Sequence, residues 1–192
     1  MMKTVLAGAF MTLMTGAALA QASPPAPAEP GKPEVKTVQD WAVRCFPEAG
    51  ASPCDMFQAL ENKATGQRVI SISIAYYPSL AKHALVIAAP LDVSLPKGLT
   101  LHTGSYTSPV FKYRRCDRNG CYVELGVDNS VIDSLARANG EAGQVNIWAD
   151  GGKPYSLGFS LKGFAAAHDE MVAEAKAKAK TPAATPAPAA TP

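Results

Sequence analysis

Alternating hydrophobic and polar positions run through the middle of the chain and indicate β-strands. The pattern is clearest in residues 68–76, where isoleucine alternates with serine between positions 70 and 74. A period of two residues places one set of side chains on each face of a strand, and β-branched residues favour extended backbone. Less regular patterns predict further strands at residues 38–45, 54–60, 83–89, 110–116, 121–127, 144–149 and 155–159. Many short strands separated by turn sequences are typical of an antiparallel sandwich or barrel.

Helical periodicity is limited to two segments. Residues 128–139 start with Asp128, a common capping residue, and Gly140 follows their end. A second helix is predicted from Ser160 to about residue 180, and beyond residue 172 it has no apolar face. Its buried stripe consists of residues three or four positions apart: Leu161, Phe164, His168 and either Met171 or Val172. We therefore predict a mainly β protein with an antiparallel β-sandwich or barrel-like core, one short helix and a C-terminal helix.

Proline-rich segments flank this predicted core. Residues 22–36 and 181–192 together hold nine of the 16 prolines. Because proline lacks an amide donor and restricts φ, neither segment is expected to join a sheet or a helix. The predicted order is a signal peptide at residues 1–20, a Pro-rich linker at 21–36, a β core domain at 37–172 and an Ala/Lys/Pro-rich tail at 173–192.

The first 20 residues have the features of a secretory signal peptide. Lys3 supplies the positive start, residues 5–19 are almost continuously apolar, and Ala18 and Ala20 form the small-residue cleavage pattern. The apolar run is shorter than the roughly 20 residues of a transmembrane helix, so cleavage after Ala20 is predicted. The mature chain is expected to be periplasmic or secreted, associated with the outer envelope, and without a transmembrane span.

The charge balance argues against a nucleic-acid partner. The chain has 18 Lys and Arg against 16 Asp and Glu, and removal of Lys3 with the signal peptide leaves 17 − 16 = +1. Domains that bind nucleic acids normally carry a strong basic excess.

The four cysteines form two couples, Cys45 with Cys54 and Cys116 with Cys121. An exported chain meets an oxidising compartment, so disulfides are the leading interpretation. Four cysteines allow three pairings, and we favour the local one because each couple brackets a turn sequence. A zinc site is the alternative, although no histidine flanks either couple.

No catalytic constellation is recognisable in the sequence. His83, His102 and His168 are far apart, and no G-x-S-x-G motif supplies a nucleophile for them. We interpret the three histidines as ordinary surface or packed residues. The sequence therefore predicts a protein that is not an enzyme, with no catalytic residue, cofactor or metal.

The densest basic stretch begins at Lys112, within a predicted strand. Alternation would place Lys112 and Arg114 on one face and Arg115 on the other, and Arg118 follows. Lys112, Arg114 and Arg118 are candidate anion-binding residues for lipopolysaccharide, an acidic glycan or a partner protein. The alternative is a charged edge strand that prevents sheet-to-sheet aggregation. Arg115 is expected to be partly buried and paired with a carboxylate.

Four groups of residues also occur in a characteristic order. They are D-W-x-V-x-C at 40–45 continued by C-x-M-x-Q at 54–58, P-L-D-V-S-L-P-K-G-L at 90–99, the couple at 116 and 121 with Gly120 between them, and Y-S-L-G-F-S-L-K-G-F-A at 155–165. In this order they resemble the invasion-associated locus B family. The resemblance covers roughly residues 38–171, nearly the whole predicted core.

The resemblance implies a small exported bacterial envelope protein, from a family named for a role in host-cell invasion, and it supplies no catalytic residue. We expect an interaction protein that binds an envelope component or a host-surface protein or glycan. Two alternatives remain open. One is a peptidoglycan- or glycan-binding periplasmic module, and the other is a periplasmic enzyme with an unrecognised site. An enzyme should show a deep pocket lined by at least two converging titratable groups.

Overall fold

The computed structural model describes residues 31–47, 50–138 and 140–180, which contain ten strands and two helices. The strands are β1 (Glu34–Val38), β2 (Trp41–Cys45), β3 (Cys54–Glu61), β4 (Arg68–Tyr77), β5 (Lys82–Ala89), β6 (Thr100–His102), β7 (Arg115–Asp117), β8 (Gly120–Val127), β9 (Ala142–Trp148) and β10 (Pro154–Ser160). The helices are α1 (Asn129–Arg137) and α2 (Phe164–Lys180). The predicted signal peptide, most of the predicted linker and the end of the predicted tail lie outside the described residues.

All strands pair in antiparallel fashion, in two sheets. The larger sheet has the order β1-β2-β3-β4-β5-β8-β7, and the smaller has the order β10-β9-β6. The larger sheet ends at β1 and β7, so it is open rather than closed into a barrel. The mainly β prediction with two helices is confirmed.

The alternating pattern of β4 marks the core face of the larger sheet. Ile70, Ile72 and Ile74 are at most 2% exposed, and Ile72 is aligned with Ile87 of β5. This face shares one hydrophobic cluster with side chains of α1, α2 and the smaller sheet. The helix α2 crosses β2, β3 and β4, where the rings of Trp41 and Phe164 meet edge to face. Both helices and the smaller sheet therefore cover the same side of the larger sheet.

The N-terminal part of the fold differs from the prediction. The predicted strand 38–45 is a hairpin of two strands, because the chain turns at Gln39, which has a φ of 54°. β1 also includes residues 34–36, which were predicted to belong to the linker. Its edge position is supported by ion pairs with α2, from Lys36 to Glu170 and from Lys178 to Glu34.

The C-terminal helix starts later than predicted, and it remains packed for longer. Ser160 ends β10, and α2 begins at Phe164 after Gly163, which has a φ of 80°. The predicted apolar stripe is buried except at His168, which is 20% exposed. Ala175 is fully buried, so the predicted solvated continuation beyond residue 172 is part of the packed helix.

The predicted strand 110–116 is also wrong, and β6 was missed. Phe111 exchanges two backbone hydrogen bonds with Leu99, at 2.8 and 3.0 Å, and forms only an isolated bridge. Gly98, with a φ of 69°, makes this approach feasible, because a Cβ there would lie 2.3 Å from the carbonyl oxygen of Phe111. Phe111 therefore pairs with the residue that precedes β6. Arg114 donates its backbone N–H to the carbonyl oxygen of Tyr122 in β8, and β7 itself starts at Arg115.

Candidate functional site

Both disulfides join cysteines that face each other across neighbouring strands. The Cα atoms are 4.1 Å apart in Cys45–Cys54, between β2 and β3, and 4.0 Å apart in Cys116–Cys121, between β7 and β8. The predicted local pairing is confirmed, and the described residues include no free cysteine. Each bond holds the register of one hairpin, and the second hairpin carries Arg115 and Arg118.

The turn between β7 and β8 is packed tightly against β5. Gly120 has a φ of 145°, and a Cβ there would lie 2.4 Å from the carbonyl oxygen of Ala89. A side chain would therefore push the hairpin away from the sheet. Arg68 of β4 donates to the carbonyl oxygen of Asn119 at 2.9 Å and adds a cation beside the turn.

Arg115 is held by two carboxylates of this hairpin. Its Nε donates to Glu124 Oε1 at 2.9 Å and its Nη1 to Asp117 Oδ2 at 2.8 Å, and the guanidinium carbon lies 4.0 Å from the centre of the Tyr122 ring. The backbone N–H of Asn119, followed by Arg115 and the Tyr122 hydroxyl, lowers the pKa of Asp117 although desolvation opposes the shift. The predicted pairing is present. The predicted burial is wrong, since the Arg115 side chain is 49% exposed on an edge strand.

Arg114 has much weaker compensation for its charge. Its side chain is 71% exposed, and its Nη1 lies 3.7 Å from Glu124 Oε2, on a carboxylate that already accepts a hydrogen bond from Arg115. Between Lys112 and Glu124 the chain has four cations and two carboxylates, a local charge of 4 − 2 = +2. Arg114 therefore has charge available for an external anion.

A groove beside Arg114 is lined by residues of the paired strands β5 and β8. Its volume is about 490 Å³, and Lys82 contributes a second cation to its wall. Tyr77, Leu80 and Val86 provide apolar surface in the same groove. Lys82 was not predicted as part of this site. It starts β5, which pairs with β8, whereas the predicted basic residues all lie between positions 112 and 118.

The structure separates the predicted anion-binding residues among different elements. Lys112 Nζ donates to the carbonyl oxygen of Pro96 at 2.7 Å, beside the turn that precedes β6. Arg118 is exposed in the turn between β7 and β8, and Arg114 faces the groove. Since residues 112–114 are not in a strand, the predicted alternation does not apply to them. A site shared by Lys112, Arg114 and Arg118 stays a prediction.

A second arginine–carboxylate cluster lies on the outer face of the larger sheet, near the first disulfide. Arg44 donates to Asp55 through Nε at 2.9 Å and through Nη2 at 2.5 Å, and Ser73 Oγ donates to the same carboxylate at 2.7 Å. The Arg44 guanidinium lies 3.8 Å from the centre of the Phe57 ring. The sequence contained a usable indication of this pair. Once Cys45 opposes Cys54, antiparallel register places Arg44 opposite Asp55.

Two histidines that are 85 residues apart in sequence meet beneath α2. Nε2 of His83 in β5 lies 3.0 Å from Nε2 of His168 in α2. Nδ1 of His83 lies 3.2 Å from Oδ1 of Asn129 in α1, and Nδ1 of His168 lies 3.2 Å from Oδ1 of Asp169. Burial, and then the charge of His168, lower the pKa of His83. Nothing in the sequence indicated this contact, because it depends on how α2 crosses the sheet.

The histidine pair opens into a cavity of about 300 Å³. The cavity is lined by Tyr76, Ala81, His83, Asn129, Ile132, Asp133, His168 and Val172. These residues come from β4, β5, the turn between those strands and both helices. In the described ranges, no group of three or more His, Cys, Asp or Glu residues is positioned to hold a metal ion. Nor does any described helix have the length and hydrophobicity to cross a bilayer.

A family model for the invasion associated locus B (IalB) protein matches residues 41–172, which is more than half of the chain. The chain belongs to the IalB family. The match includes both disulfides and both members of the histidine pair. It confirms the resemblance identified in the sequence.

Similar proteins share most of the IalB core. Invasion protein B homologues of Brucella abortus, from strain 2308 and from biovar 1 strain 9-941, are each 27% identical over 144 residues, which cover 73% of this chain and 80% of the relative. The crystal structure of invasion associated protein b from Bartonella henselae matches with a TM-score of 0.62 at 20% identity, covering 73% of this chain and 97% of that chain. This structural likeness establishes the IalB fold.

Proposed function

We propose that this protein is an exported, non-enzymatic envelope protein that binds acidic glycans and so contributes to adhesion. The observation that carries the proposal is the exposed guanidinium of Arg114 beside Lys82 in an open groove. The neighbouring carboxylates of Asp117 and Glu124 are already used by Arg115. The remaining positive charge is therefore directed towards solvent, where an acidic ligand can reach it.

The composition of the groove supports a glycan rather than a small inorganic anion. Lys82 and Arg114 supply two cations, while Tyr77 and Leu80 supply surface on which the apolar face of a sugar ring can pack. We propose that one segment of an acidic polymer lies in the groove. Lys112 and Arg118 are proposed to contact the same polymer outside the groove.

Export is supported by the two disulfides, the predicted signal peptide and membership of an invasion-associated family. A periplasmic or secreted location at the outer envelope follows from the same proposal. N-terminal mapping of the protein from envelope and culture fractions should find Gln21, or a neighbouring trimmed residue, as the first residue. An intact Met1 in those fractions would overturn the export proposal.

Glycan binding is tested with immobilised heparin and lipopolysaccharide as acidic probes and with dextran as a neutral probe. The triple variant Lys112→Gln, Arg114→Gln and Arg118→Gln should weaken binding to the acidic probes at least about tenfold, the equivalent of one charge-assisted hydrogen bond. Binding by the wild type should also weaken with added salt, because exposed charges are screened over about 8 Å at physiological ionic strength. The melting temperature should stay nearly unchanged, since surface substitutions usually alter stability by less than about 0.5 kcal/mol.

A matched control removes the same net charge elsewhere. Lys63, Arg137 and Lys162 are exposed and distant in sequence from the groove, and their replacement by Gln should leave binding unchanged. A double variant with Lys82→Gln and Arg114→Gln separates the groove from the rest of the basic surface and should retain most of the triple variant's loss. Equal losses in the control and the triple variant, or binding that does not depend on salt, would overturn the proposal.

The histidine cavity favours a second candidate, a periplasmic enzyme. His83, His168 and Asp133 line one cavity, which meets the criterion of converging titratable groups. No Ser, Thr, Cys or Lys lines this cavity among the described residues, and water activated by a histidine is the nucleophile that this candidate would use. Hydrolysis of model esters that is abolished by His83→Gln would favour this candidate over the binding protein.

A further inference from the structure

The hydrogen bonds around the histidine pair determine which ring nitrogens carry hydrogen. Nδ1 of His83 faces the amide oxygen of Asn129, and Nδ1 of His168 faces a carboxylate oxygen of Asp169, each at 3.2 Å. An amide or carboxylate oxygen accepts hydrogen bonds, so in this orientation of the Asn129 amide each Nδ1 donates one. A neutral imidazole with hydrogen on Nδ1 has only a lone pair on Nε2.

Two Nε2 lone pairs would then face each other at 3.0 Å. This arrangement is repulsive unless a cation lies between them, either a proton or a metal ion. The same arrangement is the one that metal-binding histidines adopt, with Nε2 directed at the ion and Nδ1–H donated to an oxygen atom. His83 and His168 both have this outer hydrogen bond, which fixes their orientation before an ion arrives.

We propose that His83 and His168 form a binding site for a divalent transition-metal ion of the zinc and copper class, with the ion between their two Nε2 atoms. Metal–nitrogen distances of about 2.0–2.1 Å in tetrahedral geometry place two ligand nitrogens about 3.3 Å apart. The nitrogens are 3.0 Å apart, so a small rotation of the His168 side chain is sufficient. His168 is 20% exposed, which leaves it room to move, whereas His83 is 6% exposed and provides the fixed ligand.

The cavity supplies the remaining coordination positions. Its volume of about 300 Å³ admits water molecules or an external ligand next to the two nitrogens. Asp133 of α1 lines the same cavity, so its carboxylate can accept a hydrogen bond from water bound to the ion. With two protein ligands, the ion keeps open positions that water or an external ligand can fill.

The metal site shares only His83 with the proposed glycan groove. His83 contributes to both cavities, but its neighbours in the metal site are His168, Asn129 and Asp133, none of which lines the groove. Zinc binding would connect β5 with α2 across the core face and so stabilise the docked helix.

The test uses the protein without a polyhistidine tag, treated with a chelator and then dialysed free of it. Calorimetric titration with zinc chloride at about pH 7.5, where free imidazole is neutral, should show one ion bound per chain. His83→Gln and His168→Gln should each weaken binding at least about tenfold, and Asp169→Asn should weaken it by a smaller factor. His102→Gln is the matched control and should bind like the wild type, because His102 is hydrogen-bonded to Thr107 outside the cavity.

A second measurement guards against a variant that fails to fold. Zinc should raise the melting temperature of the wild type in a concentration-dependent way and leave that of folded His168→Gln unchanged. Cobalt absorption bands typical of tetrahedral nitrogen ligation should appear in the wild type and in His102→Gln only. No binding by the wild type, or equal binding by His168→Gln, would overturn the proposal and leave a shared proton as the cation between the rings.

Discussion

Tyr113 shows at the level of a single residue how the basic segment is anchored. Its ring packs against the core cluster between the exposed side chains of Lys112 and Arg114. Its hydroxyl is buried without a hydrogen-bond partner among the described residues, and burial raises the pKa of Tyr113 to about 12. A buried hydroxyl that forms no hydrogen bond costs free energy, because its bonds to water are lost on folding.

Tyr113→Phe is therefore expected to stabilise the protein. Removing the unpaired hydroxyl should raise the free energy of unfolding by roughly 1 kcal/mol, since the ring contacts are kept. Urea unfolding followed by tryptophan fluorescence measures the change. Tyr122→Phe is the control, and it should give no gain because the Tyr122 hydroxyl donates to Asp117 at 3.3 Å. A loss of stability in Tyr113→Phe would show that the hydroxyl is satisfied after all.

At the level of elements, α2 connects parts of the fold that are distant in sequence. Its buried residues contact the central strands, its ion pairs hold β1, and His168 meets β5. The groups around the histidine pair are Tyr76 of β4, Asn129 and Asp133 of α1, and Asp169 of α2, with Lys176 of α2 over the Tyr76 ring. We therefore expect the docking of α2 to depend on the charge of His83.

Stability is expected to fall as the pH drops below about 6.5, the ordinary pKa of histidine. Burial and the charge of His168 lower the pKa of His83, so the unfolded chain takes up a proton that the folded chain resists. Neutral His83 makes its full contribution to the free energy of unfolding above pH 6.5, and this contribution is lost as the pH falls through the lowered pKa. Urea unfolding in the presence of a chelator between about pH 7.5 and 5 measures it. The loss of unfolding free energy over this pH range should be smaller in His83→Gln than in the wild type. An equal pH dependence in the two proteins would contradict the assignment of this loss to His83.

For the molecule as a whole, the two disulfides have different positions in the same sheet. Cys45 and Cys54 are buried in the core cluster, where they join β2 and β3. Cys121 is buried, but Cys116 is exposed on the edge strand β7. The first bond therefore supports the core, while the second supports the hairpin that presents Arg114 and Arg115.

Removal of each disulfide should separate these two roles. Loops this short predict roughly 2–3 kcal/mol of stabilisation per bond from chain entropy. Cys45→Ala with Cys54→Ala should cost more than this, because it also leaves a cavity in the core. Cys116→Ala with Cys121→Ala should cost less and should weaken heparin binding as well. Thermal melts and heparin-binding measurements on the two double variants provide the comparison. If both variants lost stability and heparin binding to the same extent, the two disulfides would not have different roles.

Much of the larger sheet was predictable because period-two alternation reports local burial directly. β3, β4, β5 and β8 were located to within one or two residues, and the cysteine spacings identified both disulfides. Register then follows from the disulfides, which is why the pair of Arg44 and Asp55 could have been found. The anion-binding set could not be grouped correctly, since alternation was assumed where Phe111 pairs with Leu99 instead.

Most of the strands, the disulfide couples, the predicted signal peptide and the family were recognisable from the sequence, because each depends on residues that lie close together along the chain. The place of β1 in the sheet, the groove shared by Lys82 and Arg114, and the contact between His83 and His168 became apparent only in the folded protein. These contacts depend on which strands become neighbours and on the angle at which α2 crosses them. Such choices are made by the packing of the whole core, and no local pattern of residues records them.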